Sequence, residues 1–181
     1  MHRLLPDRGR LFHPVHFESD MVSLKTDSRS LLQRLTATRL AVPGLVLRLA
    51  LAVVMFPHGA QKLLGWFGGP GFSETIAGFD RYFGIPAALA VVAILTEFLA
   101  PVALALGIFT RIAALGLAVN MLVAMRYHLA NGFFMNWTGN QAGEGFEFHL
   151  LLIGAAIALL IGGAGRWSLD RRLAGDETGT G

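Results

Sequence analysis

The hydrophobic positions of the chain fall into four long stretches, and the polar residues gather in the joints between them. The stretches cover residues 44–66, 86–108, 112–129 and 146–163. About 20 apolar residues in a helix are enough to cross the hydrocarbon core of a bilayer. The joint at residues 109–111 is so short that the helices on either side of it must form an antiparallel hairpin. The pattern therefore predicts an all-α membrane protein, built as an antiparallel bundle of four transmembrane helices.

The segments outside these stretches have other patterns. Residues 1–20 contain two prolines and no apolar period, which predicts disorder, and Met21 is a second candidate start. Around residues 28–41, leucines alternate with arginines in the manner of an amphipathic helix lying on the membrane surface. We therefore expect a cytoplasmic arm at 1–42, a membrane domain at 43–173 and a disordered tail at 174–181. Within the first loop, apolar residues at helical spacing over 75–83 predict a short interfacial helix.

Composition supports a membrane protein. Of the 181 residues, 54% are hydrophobic and 15% are charged, and the mean hydropathy is +0.55. The pI is about 10.0, but the net charge is only +3 and the basic residues concentrate at the two ends of the chain. This distribution is typical of segments beside an anionic membrane surface, and it argues against a nucleic-acid partner.

The positions of lysine and arginine predict the topology. Basic residues precede the first stretch, occupy the second joint at Arg111 and follow the fourth stretch. The two longer loops contain only Arg81, with Arg126 at a helix end. Because cytoplasmic loops carry an excess of lysine and arginine, both termini are expected on the cytoplasmic side of the inner (plasma) membrane.

Polar residues inside the apolar stretches are the candidate functional groups. They are Arg48, His58, Gln61, Lys62, Glu97 and Asn120. At about 1.5 Å of rise per residue, His58, Glu97 and Asn120 reach one layer, roughly 12 to 16 Å below the outer helix ends. Ionisable groups at such depth usually face a partner or a polar pocket. We expect Glu97 to be protonated or paired with His58 or Lys62. The alternative is that these polar residues only tie helices together.

This layer predicts a ligand site in the outer half of the bundle. The expected binding residues are His58, Gln61, Lys62, Glu97 and Asn120, with Glu97 and His58 as candidate proton relays. His128 and His149 share a level near the outer surface, but His58 lies about two turns deeper and no metal-ligand spacing is present, so no metal site is expected. The chain contains no cysteine, which excludes thiol chemistry and Cys-ligated clusters.

Three motifs carry a family resemblance. The segments LRLALAVVMFPHGAQKLLGWFGG, TEFLAPVALALGIFTRIAAL and GGAGRWSLD are similar to those of the DoxX family of small four-helix membrane proteins, over roughly residues 44–173. The residues that match the family pattern are Arg48, His58, Gly59, Gln61, Lys62, Glu97 and the segment 166–170. The resemblance implies an association with oxidoreductases, through kinship to a thiosulfate:quinone oxidoreductase subunit and to membrane complexes that recruit partner enzymes.

Three functions stay open at this point. The first is an integral membrane subunit of a redox-associated complex that binds quinone in the outer polar pocket, which makes the chain at most an oxidoreductase subunit. The second is a non-catalytic scaffold that recruits partner enzymes, and the third is a pathway for a small solute or for protons. Each of them implies contact with membrane lipid, and the first two imply protein partners or a homo-oligomer.

Overall fold

The computed structural model describes residues 41–174, and in this part of the chain all regular structure is helical. The α-helices are α1 (Ala41–Leu64), α2 (Phe72–Phe83), α3 (Ala87–Leu106), α4 (Thr110–His128), α5 (Glu147–Gly162) and α6 (Leu169–Leu173). Short 3-10 turns follow α1 at Trp66–Gly68 and α4 at Leu129–Asn131. Nearly all of the arm predicted at 1–42, with its surface helix, and of the tail predicted at 174–181 lies outside the described residues, and both stay predictions.

Three of the helical segments are long and apolar enough to cross a membrane. They are Val42–Leu64, Ala87–Leu106 and Thr110–Asn131, with 23, 20 and 22 residues. The fourth predicted stretch forms the apolar helix α5, which has 16 residues and so rises about 24 Å. The hydrocarbon core is about 30 Å thick, so α5 is shorter than a typical crossing helix. The prediction of an all-α membrane protein is confirmed, whereas four crossings remain a prediction.

The helices pack around a common apolar core. Helix α1 packs against α3, α3 against α4, α4 against α5, and α5 against α1. The side chains at the centre are aliphatic or methionine, and the largest fully buried ones are Met55, Ile94, Leu104, Leu117 and Leu159. Large apolar residues also cover the outside, which suits a surface that faces lipid.

The contact between α1 and α3 depends on Gly59. A Cβ atom at this position would lie 2.6 Å from both the carbonyl carbon of Glu97 and the Cα of Phe98, so only glycine fits. Gly154 and Gly162 of α5 are different, because a Cβ added at either position would meet nothing within 4 Å. Since small residues allow the close backbone approach that stabilises helix pairs in membranes, Gly59 sets how closely α1 and α3 pack.

The predicted interfacial helix over 75–83 is present as the longer helix α2. It begins after the loop that follows α1, and the hydroxyl of Thr75 donates to the carbonyl oxygens of Lys62 at 3.2 Å and of Gly71 at 2.6 Å. The tyrosine hydroxyl of Tyr127 in α4 donates to the carbonyl oxygen of Phe83 at 3.3 Å. Helix α2 is therefore attached at both ends to the same ends of α1 and α4.

We expect Gly59→Ala to lower the stability of the protein by about 1–3 kcal/mol, because the new methyl group forces α1 away from α3. The matched control is Gly154→Ala, where space is open and alanine is the better helix former. Thermal unfolding midpoints of the two purified variants in the same detergent provide the comparison. Equal midpoints for both variants would contradict the close contact at Gly59.

Candidate functional site

A buried ion pair lies at the centre of the predicted polar layer. The ammonium Nζ of Lys62, in the last turn of α1, is 2.5 Å from Oε1 of Glu97 in the middle of α3. The side chain of Glu97 is 5% exposed and that of Lys62 is 28% exposed. The close approach at Gly59, one turn before Lys62, brings the two helices near enough for this pairing. The pairing matters because an isolated charge at this depth would be costly.

Asn120 joins the ion pair from α4. Its amide nitrogen Nδ2 lies 3.2 Å from the carbonyl oxygen of Ala93 and 3.5 Å from Oε2 of Glu97. Both carboxylate oxygens of Glu97 therefore have a donor, one from α1 and one from α4. Three helices thus meet at one depth, as the layer of polar residues predicted. Of the two partners expected for Glu97, His58 and Lys62, it is Lys62 that forms the ion pair.

His58 and Gln61 do not share this arrangement. The side chain of His58 is exposed, and the hydrogen bonds of the described chain include none to it. Gln61 turns towards the following loop, where its Nε2 donates to the carbonyl oxygen of Phe67 at 3.3 Å. A direct bond between His58 and Glu97 is thus not among the described contacts, because Lys62, one turn further along α1, occupies Oε1. The binding role expected for His58 and Gln61 remains a prediction.

Two histidines stack where α4 ends and α5 begins. The imidazole rings of His128 and His149 have centroids 4.5 Å apart and are inclined by 31°. Nδ1 of His128 donates to the carbonyl oxygen of Glu144 at 2.9 Å, whereas Nδ1 of the buried His149 has no partner in the described chain. Because His128 is eight residues after Asn120 in α4, the histidine pair lies about 12 Å along the helix axis from the polar layer.

Sequence reasoning placed His128 and His149 at one level but did not include them in the site. A signal for His149 was available in the helical period. It precedes Leu152, Ile153 and Ala156 by three, four and seven residues, and all three line the core. The same spacing puts His149 on the inward face of α5.

Two carboxylates near the histidines hold the loop between α4 and α5. Oε1 of Glu147 accepts from the backbone N–H of Met135 at 2.9 Å and from the indole N–H of Trp137 at 3.3 Å. Oε2 of Glu144 accepts from the backbone N–H of Asn136 at 2.7 Å. Because these oxygens are used by the loop itself, Glu144 and Glu147 order the segment that lies over the histidine pair.

The remaining motif residues lie at the opposite end of the helices. Arg48 is fully buried and donates to the carbonyl oxygens of Leu104 at 2.8 Å and Trp167 at 2.5 Å. The carboxylate of Asp170 accepts from the backbone N–H groups of Phe109 at 2.7 Å and Thr110 at 2.9 Å, at the start of α4. Arg48 is 14 residues from Lys62 in α1, about 21 Å along the axis, so it belongs to a separate structural clamp.

The fold and the buried polar layer define an all-α integral membrane protein. The family model described as DoxX matches residues 44–137, just over half of the chain, and the chain belongs to the DoxX family. The matched segment includes Lys62, Glu97 and Asn120 and ends before Glu147 and His149. None of the curated proteins or solved structures compared with the chain matches it.

We expect Lys62→Met to destabilise the protein by about 2–4 kcal/mol, because the change leaves the carboxylate of Glu97 buried without its cation. The double variant Lys62→Met with Glu97→Gln should lose less stability than Lys62→Met alone, since the new amide is neutral and still accepts from Asn120. Lys62→Arg, which keeps the charge, is the control. The free energies of unfolding in mixed micelles measure these differences. A double variant less stable than Lys62→Met would show that the pair is not coupled.

Proposed function

We propose that this protein is an integral membrane subunit of a redox-associated complex in the inner (plasma) membrane, and that the polar cluster in its outer half binds a quinone. One observation carries the proposal: α4 joins a buried ion pair to a buried imidazole, because Asn120 holds the pair of Lys62 and Glu97 and His128 stacks on His149, which lacks a partner at Nδ1. Polar groups of this kind inside a membrane protein are functional by default. Membership of the DoxX family supports a redox setting.

The cluster has the chemical groups that a quinone requires. A quinone ring has two carbonyl oxygens that accept hydrogen bonds and a flat apolar face, and it supplies reversible two-electron chemistry when bound. Lys62 and the histidines provide N–H donors. Phe56 and Phe98, whose ring centroids are 5.4 Å apart, provide apolar surface on α1 and α3. Such a combination of apolar walls and few polar groups is typical of small-molecule sites.

The residues of the chain would bind and exchange protons, and a partner would provide the electrons. Glu97 and Lys62 form a pair that can hold or release a proton, with His58 one turn before Lys62 in α1 and His149 nearer to the predicted outer surface. The sequence contains no cysteine, so no thiol of this chain carries electrons. This argues for a second, redox-active subunit in the complex.

A second candidate function uses the same residues. The buried carboxylate of Glu97, its partner Lys62 and the exposed His58 one turn earlier in α1 also suit a proton or small-solute pathway. The scaffold alternative depends mainly on the ends of the chain, which lie outside the described residues. A pathway would transport without bound quinone, which separates it from the first proposal.

Topology is part of the proposal. The cyclic order of helix contacts, α1 to α3 to α4 to α5 and back to α1, supports an antiparallel four-helix bundle. A 16-residue α5 can cross where the bilayer is locally thinner. The basic residues Arg111, Arg166, Arg171 and Arg172 at one end support cytoplasmic N and C termini.

We predict that single-cysteine variants will show this topology. Ser73→Cys, in exposed α2, should react in intact cells with a maleimide that cannot cross membranes, whereas Ala174→Cys should react only after permeabilisation. The wild-type chain has no cysteine and is therefore a clean background. If intact cells labelled Ala174→Cys and not Ser73→Cys, the orientation would be the opposite of the one proposed.

We predict that quinone will be retained when the wild-type protein is extracted from membranes and that His149→Phe will retain less than half as much. The phenyl ring keeps the stacking on His128 but removes both nitrogens. Phe148→Leu is the control, since it changes a side chain in the same helical turn and removes no polar group. The measurement is the amount of quinone per mole of protein, determined by extraction and chromatography. Equal retention by all three proteins, or none by the wild type, would refute quinone binding here.

A further inference from the structure

An open groove lies at the end of the molecule opposite to the polar cluster. Its volume is about 540 Å³, and it is formed by the start of α4, the segment after α5 and the start of α6. The walls contain two arginines, Arg111 and Arg171, and one acid, Asp170. Neither the quinone proposal nor the family match at residues 44–137 accounts for this groove, because half of it is built from residues beyond 162.

The charges of the groove favour an anion. The two oxygens of Asp170 are already engaged by the backbone N–H groups of Phe109 and Thr110. Arg111 uses one nitrogen to donate to the carbonyl oxygen of Ile161 at 3.2 Å, and no hydrogen bond or ion pair of the Arg171 guanidinium occurs among residues 41–174. Each arginine therefore has N–H donors left for a ligand, and guanidinium groups fit phosphate oxygens well.

The rim of the groove is apolar. Phe109 is 63% exposed and Ile112 is 71% exposed, and both line the groove next to Arg111. Trp167, on the adjoining segment, is 74% exposed. Tryptophan is enriched where membrane proteins meet the lipid headgroups. Cationic donors in a recess with exposed apolar side chains beside it match a molecule that has an anionic head and an apolar tail.

A further polar group lies in the same recess. Thr110 lines the groove, and its hydroxyl has no hydrogen-bond partner in the described chain although the residue is fully buried. Its backbone N–H is used by Asp170, so the hydroxyl is the group that remains. A rotation of the side chain that brings this hydroxyl to the groove surface would let it donate to a headgroup oxygen.

We propose that this groove is a binding site for an anionic phospholipid, with the phosphate at Arg111 and Arg171 and an acyl chain along Phe109 and Ile112. The site is specific for one lipid class, which goes beyond general contact between apolar helices and the bilayer. Occupation of it would link α4, α5 and α6 on their cytoplasmic side. This inference does not depend on the quinone proposal, since the two sites are at opposite ends of the helices.

Lipid titration of the purified full-length protein in detergent, followed by native mass spectrometry, tests the proposal. We expect the wild type to bind phosphatidylglycerol more tightly than phosphatidylcholine, which carries the same phosphate without net charge. Arg171→Gln should weaken phosphatidylglycerol binding about fivefold, and Arg111→Gln with Arg171→Gln by tenfold or more, because each basic side chain near an anionic lipid contributes a factor of about five. Arg171→Gln breaks no described side-chain contact, so its result stands even if the double variant is poorly folded.

Arg126→Gln is the matched control, because Arg126 is an exposed arginine at the other end of α4. It should bind phosphatidylglycerol as the wild type does. Equal affinity for the two lipids, wild-type affinity in Arg171→Gln, or the same loss in Arg126→Gln would overturn the proposal. Displacement of the lipid by millimolar inorganic phosphate would also overturn it, since the groove would then be a site for a soluble anion.

Discussion

The ion pair between Lys62 and Glu97 constrains the middle of this membrane protein. Both charges lie in apolar helices long enough to cross a membrane, where either one alone would be expelled or neutralised. Three helices must therefore hold fixed positions, because Lys62 comes from α1, Glu97 from α3 and the amide of Asn120 from α4. Gly59 is part of the same constraint, since any larger residue would separate α1 from α3 and lengthen the pair.

The two ends of the helices use polar groups differently. At one end Arg48 donates to the carbonyl oxygens of Leu104 and Trp167, and Asp170 accepts from the backbone N–H groups of Phe109 and Thr110. These contacts fix the ends of helices, as caps do, and leave little for chemistry. Towards the other end Nδ1 of His149 has no partner in the described chain and His58 is exposed. Because the hydrogen bonds are satisfied at the first end and incomplete at the second, we assign a structural role to the first and propose ligand binding at the second.

The family match ends at residue 137, before the residues that complete the polar clusters at the two ends of the molecule. The DoxX match covers residues 44–137, which hold nearly all of α1 and the whole of α2 to α4. The proposed binding cluster also includes His149, and the clamp at the other end uses Trp167 and Asp170. Helix α5 and the segment after it therefore complete both ends of the molecule. The matched segment thus supplies the core, and α5 with the segment after it adds further polar residues. This agrees with the general rule that function depends on particular sites and not on the fold alone.

The sequence by itself determined the helices, because hydropathy and helical period are local properties. It also determined that Glu97 and Asn120 would share a layer, since a rise of about 1.5 Å per residue fixes depth along each helix. Only the tertiary structure decided which cation pairs with Glu97, because His58 and Lys62 are one turn apart and differ in reach. The same is true of Arg48 and Trp167, which are 119 residues apart and meet only after α1 and the segment beyond α5 pack together. Depth along a helix and helical period follow from the sequence alone, whereas the direction in which a side chain turns depends on the neighbouring helix.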